Sequence, residues 1–97
     1  MLQIQEKDEK LFCVFSGPQN TPACKELEAD LLARLKATQL PVVFDLQTVE
    51  FVSSMFLRLC LMAVQKVGAE KFSVTNTQPP VKKVFKIAGF DKQIKIE

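Results

Sequence analysis

The chain has 97 residues, 47% apolar and 25% charged, which is enough for one small domain with an ordinary core and too apolar for intrinsic disorder. It contains no histidine, so Ser-His-Asp and Cys-His catalytic machinery and the commonest zinc, copper and iron ligand sets are excluded. The net charge of +2 is unevenly spread: residues 1 to 50 hold five basic and eight acidic side chains, residues 51 to 97 eight and three.

Leu2 and Ile4 alternate with polar neighbours, Lys7 to Glu9 have turn character, and Leu11-Phe12-Cys13-Val14-Phe15 is strongly β-prone, so the chain opens on a predicted β-hairpin. Ser16 to Asn20 form a breaker cluster, after which Thr21 is the expected N-cap and Pro22 the first helical residue. Leu27, Leu31 and Leu35 then recur at helical spacing opposite Lys25, Glu26, Glu28, Asp30, Arg34 and Lys36, the pattern of an amphipathic helix covering a sheet. Pro41-Val42-Val43-Phe44 is a continuous apolar run too short for a helix and reads as a central strand, with Asp45 to Val52 as the connection out of it.

Ser53 or Ser54 caps the next helix, which is apolar on nearly every side from Met55 to Val67 and broken only by Arg58, Gln65 and Lys66. A helix of that kind is either buried or meets a partner, and an exposed apolar tip at Met55 or Phe56 is expected. Gly68 ends it, Lys71 to Thr75 alternate as a strand, Asn76 to Pro80 form a loop, and Val81 to Ala88 form a third helix with Lys82, Lys83 and Lys86 on its outer side. Gly89 stops this helix, and Gln93 to Ile96 make a last strand. The order β-β-α-β-α-β-α-β with short connections predicts an α/β domain spanning residues 1–97: a single mixed sheet of four or five strands under one layer of three main helices.

Chemistry-bearing motifs are scarce. The three glycines, Gly17, Gly68 and Gly89, are too scattered for a phosphate-cradling loop. Cys13, Cys24 and Cys60 never pair as CxxC and have apolar neighbours, as buried reduced thiols do. Asp45 and Glu50 read as loop carboxylates, and Lys82, Lys83 and Lys86 as a solvated face. With no Trp or Tyr to interleave with the lysines, nucleic-acid binding is not expected. No apolar run reaches the roughly 18 to 20 residues of a bilayer crossing. Met1 to Lys10 lack the pattern of a secretory signal, which makes the cytoplasm the expected compartment. A non-enzymatic protein without a cofactor follows.

Val42-Val43-Phe44-Asp45-Leu46, then Val49-Glu50-Phe51-Val52-Ser53-Ser54, an apolar helix closed by Gly68, and Pro79-Pro80-Val81-Lys82-Lys83-Val84-Phe85-Lys86-Ile87-Ala88-Gly89-Phe90 together resemble the STAS domain family, which includes the bacterial anti-sigma factor antagonists. The resemblance runs over essentially the whole chain and is strongest from Val42 to Phe90. It implies a regulatory protein-binding domain whose partner is an anti-sigma factor with serine-kinase activity, or another STAS-binding protein. In the family the loop before the second helix reads Asp-Ser-Ser/Thr-Gly and its first hydroxyl residue is phosphorylated. Alignment on Val49, Phe51 and Leu57 puts the phosphorylated hydroxyl at Ser54, the family aspartate at Ser53, the next small residue at Met55 and the glycine at Phe56. The resemblance thus implies phosphorylation at Ser54 and partner contacts at Ser53, Met55, Phe56 and Arg58. The replaced aspartate and glycine support an alternative, a STAS domain without a working phospho-switch that serves as a constitutive subunit of a transporter or signalling assembly.

Overall fold

The computed structural model describes residues 2–97. Strands β1 (Leu2–Lys7) and β2 (Lys10–Ser16) form the expected antiparallel hairpin, with Leu2 opposite Phe15 and Lys7 opposite Lys10. Its two-residue turn places Asp8 and Glu9 both in the left-handed region, at φ of 52° and 61°, the backbone that a tight hairpin of matching twist demands. Helix α1 (Thr21–Ala37) leads to β3 (Val42–Thr48), α2 (Ser54–Val67) to β4 (Phe72–Thr75), and α3 (Pro79–Ile87) to β5 (Lys95–Ile96). The sheet is five-stranded and mixed, in the order β1-β2-β3-β4-β5, with every pair parallel except the hairpin.

Each crossover moves the chain one strand further in the same direction, and crossovers of one hand then place all three helices on one face. The register bears this out. Leu11 and Cys13 pair with Val42 and Phe44, which pair in turn with Phe72 and Val74, and these six together with Phe15 and Leu46 are buried beneath the helices. The other face carries Gln3, Gln5, Phe12, Val14, Asp45, Ser73 and Thr75, exposed or half-buried. Val43 belongs to that helix-free face; it is buried between the flanking strands without joining the main core.

Several boundaries differ from the sequence reading, each for a local reason. Asn20, not Thr21, caps α1: its side-chain oxygen accepts the Ala23 N–H at 3.0 Å, so Pro22 is the second helical residue. Strand β3 continues four residues beyond Phe44, because Asp45 points to the helix-free face and its carboxylate accepts hydrogen bonds from Gln47 N–H (3.0 Å) and Asn76 Nδ2 (3.2 Å). Helix α3 begins two residues early at Pro79, since the Gln78 carbonyl already accepts the Lys82 N–H at 2.8 Å. The last strand shrinks to two residues because Ile94 N–H is held back by the Phe90 carbonyl at 2.8 Å.

Candidate functional site

The site expected from the sequence lies where β3 feeds into α2. Val49 and Val52 are fully or almost fully buried and pin the connection to the core, which leaves Glu50 and Phe51 between them turned to solvent. Phe51 is 54% exposed, and beside it Gly17, Pro18, Thr48 and Glu50 line a shallow cleft of about 250 Å³.

Gln19 locks this connection to the β2–α1 loop. Its backbone N–H donates to the Phe51 carbonyl at 3.0 Å and its carbonyl accepts the Ser53 N–H at 2.9 Å, an isolated parallel bridge outside the main sheet. Its side chain is fully buried, and Nε2 donates to the carbonyls of Ser16 (3.1 Å) and Gly17 (3.2 Å). The two loops therefore form one rigid rim. With the Gln19 side chain fully buried, losing these bonds would leave its amide unpaired away from water, which is costly.

Ser53 is the N-cap of α2: its backbone is extended (φ −95°, ψ 171°), and Oγ accepts the Phe56 N–H at a long 3.4 Å. Beneath it lies the Cys24 thiol, with Sγ 4.0 Å from Ser53 Oγ and 3.7 Å from the Gln19 carbonyl, to which it donates. Burial raises the Cys24 pKa, opposed by the Ser53 contact, so this thiol is neutral at pH 7. Cys60, on the buried side of α2, is pushed well above the ordinary thiol value by burial, reinforced by Cys24, and Cys13 is pushed up to about 12 by burial against the opposing pull of Arg34. All three are free and buried, as the sequence predicted.

Ser54 follows as the first helical residue, and its side chain is exposed. Its hydroxyl is presented to solvent at the positive end of the helix dipole, where added negative charge is favoured. Met55 is half-buried and packs partly on the core, and Arg58 is exposed one turn on.

Phe56 corrects the sequence reading. It has no exposed surface, and its ring meets Phe15 edge-on at 5.0 Å and Phe44 at 6.2 Å between centroids. With Leu59, Cys60 and Ala63 it forms the i, i+3, i+4, i+7 face that α2 lays on the sheet, so it cannot contact a partner from the folded domain. The apolar tip is instead Met55 together with Phe51, which the sequence reading used only for alignment. Exposed apolar surface continues along α2 at Leu61, 39% exposed and one turn beyond Arg58.

Among the described residues no group of three or more His, Cys, Asp or Glu is placed to hold a metal ion, and no helix is long and apolar enough to cross a membrane.

The model of the STAS domain matches residues 1–97, the whole chain. The chain belongs to the STAS domain family. A proposed anti-sigma factor antagonist of Bordetella bronchiseptica, BtrV, is 29% identical over 91 residues, covering 92% of this chain and 78% of that protein. Solved structures with the same fold include an anti-sigma factor antagonist from Mycobacterium paratuberculosis, with a TM-score of 0.86 and 24% identity over 99% of this chain and 83% of that one. A STAS protein from Planctomyces limnophilus gives 0.87 and 18% over 99% and 87%. The unphosphorylated anti-sigma factor antagonist SpoIIAA gives 0.82 and 17% over 100% and 88%. At these identities the structures establish the fold: the five-stranded mixed sheet with three helices is the STAS architecture, in which anti-sigma factor antagonists are built. In this STAS domain the connection into α2 carries Ser53-Ser54-Met55-Phe56, with the Phe56 ring turned inward to fill the core.

Proposed function

We propose that this STAS domain is an anti-sigma factor antagonist that binds an anti-sigma factor with serine-kinase activity and is released from it by phosphorylation at Ser54. The supporting observation is the exposed Ser54 hydroxyl at the start of α2, set on a braced rim beside the exposed Phe51 ring. Phe51, Met55 and Arg58 supply an apolar contact, an adaptable contact and a cation around that hydroxyl, a combination suited to protein recognition. The name of the relative BtrV, a proposed anti-sigma factor antagonist, supports an anti-sigma factor as the partner.

Phosphorylation would transfer the γ-phosphoryl group of ATP to Ser54 Oγ, forming the Oγ–P bond, expelling ADP and giving up the hydroxyl proton to the kinase site. The new group carries about −1.5 to −2 charges, which a docked partner would have to desolvate next to an apolar contact. No catalytic role is assigned to this chain; Asp45 is occupied in holding β3 to the loop after β4.

The second reading, a constitutive subunit without a phospho-switch, is favoured by Ser53 standing where the family has aspartate. The two readings separate in a binding titration against purified anti-sigma factor kinases. On the first, Ser54→Asp weakens binding by more than about tenfold, or 1.4 kcal/mol, while Ser54→Ala binds as wild type does. Equal affinity of wild type and Ser54→Asp would instead support the subunit reading.

A further inference from the structure

The exposed side of α2 carries one cation in its first turns, Arg58, four residues after Ser54. Residues four apart lie on one face of a helix with Cβ atoms about 5 to 6 Å apart, and helical side chains lean toward the N-terminus, so Arg58 reaches back over the turn that holds Ser54. An anion placed N-terminal to a cation at this spacing is the favourable orientation. Both side chains are exposed, the first turn of α2 holds no acidic residue, and the one ion pair among the described residues, Lys95–Glu97, lies elsewhere. The nearest preceding carboxylate in the chain, Glu50, is exposed and not paired with Arg58.

We propose that Arg58 is the built-in counter-ion of phosphoserine at position 54, closing onto the phosphate oxygens through its planar guanidinium. The proposal rests on the reading of Ser54 as the phosphorylated residue and adds how the switch acts. Before phosphorylation Arg58 is a free donor on the docking surface. Afterwards it is drawn back along α2 by two charge-assisted hydrogen bonds, a geometry that arginine makes with phosphate and lysine does not. Phosphorylation thus changes the surface twice, adding a dianion and withdrawing the cation beside it, while the phosphate is held on the helix and the fold is kept.

The test uses the full chain with phosphoserine installed at position 54 during translation, so its outcome does not depend on any kinase. The chain has two arginines, Arg34 and Arg58, and the Nε–Hε signals of both are followed by NMR. The pair predicts that phosphoserine shifts the Arg58 signal downfield and slows its exchange with water, while Arg34 on α1 is unmoved. It also predicts that the change in melting temperature on introducing phosphoserine is less favourable in Arg58→Gln than in wild type, with Arg58→Lys only partly restoring the difference. An Arg58 signal that responds no more than Arg34, with equal melting shifts in wild type and Arg58→Gln, overturns the pair. That result would leave phosphorylation at Ser54 untouched, whereas failure of a kinase to modify Ser54 would overturn the reading beneath it and not the pair measured here.

Discussion

Replacing Phe56 with alanine separates a core residue from a docking residue. The ring has no exposed surface and sits edge-on to Phe15 at 5.0 Å, with Phe44 at 6.2 Å. Truncating a buried phenylalanine costs about 3 to 5 kcal/mol through lost transfer energy and the cavity left behind. The edge-to-face contact with Phe15, worth about 0.5 to 1.5 kcal/mol beyond buried area, keeps this site out of the lowest part of that range. A loss of about 4 kcal/mol is a large share of the roughly 5 to 15 kcal/mol that stabilises a domain of this kind. At about 4 °C or more per kcal/mol, the melting temperature of Phe56→Ala should fall by at least about 15 °C in a circular-dichroism melt. Met55→Ala, half-buried on the neighbouring position, should lose under about 2 kcal/mol and keep its fold. If Phe56→Ala melted within a few degrees of wild type yet no longer bound its partner, the ring would belong to the surface and the packing described for α2 would be wrong.

Three further outcomes are expected. Ser53→Ala removes the N-cap acceptor of α2 and should cost about 1 kcal/mol in urea unfolding, toward the low end of cap effects because the bond to Phe56 N–H is long at 3.4 Å. Phe51→Ser should leave the melting temperature within a few degrees of wild type, since the ring is mostly exposed, while weakening partner affinity by about tenfold in the same titration used for Ser54. Stability should decline above pH 9. The folded chain keeps its buried thiols protonated while the unfolded chain ionises them near their ordinary value of 9.0, so the stabilisation is complete below that value and lost as pH rises toward the folded one. For Cys13 the window runs from 9.0 to about 12, and urea unfolding at a series of pH values should show Cys13→Ala losing stability with pH about 1.4 kcal/mol per unit less steeply than wild type.

The element order was legible because each element carried a strong local signal: turn residues after β1, the breaker cluster before α1, the apolar run of β3 and Gly68 at the end of α2. Gly68 adopts φ of 91°, a conformation that a side chain would strain, and the helix cannot continue through it. The one-layer arrangement also followed, since strands of a short chain taken in order leave too few helices for a second face. What could not be read was the division of α2 into an inner and an outer side. Apolar residues at nearly every position conceal the 3.6-residue period, and only the sheet beneath shows that Phe56, Leu59, Cys60 and Ala63 are the inward set. Phe51 escaped for the opposite reason. Val49 and Val52 bracket it in a connection that is neither strand nor helix, so no secondary-structure periodicity marks the ring as exposed. Gln19 gave no signal, because its role lies in long-range backbone bonds to Phe51 and Ser53.

The central claim is that Ser54 is the switch of a partner-binding surface. It is tested most directly by incubating the intact chain with ATP and an anti-sigma factor kinase that binds it, then locating phosphate by tandem mass spectrometry. The account predicts one phosphate per chain, on Ser54, and its disappearance in Ser54→Ala. Phosphate on Ser53 instead, or none under conditions in which the same kinase modifies another STAS protein, would contradict it.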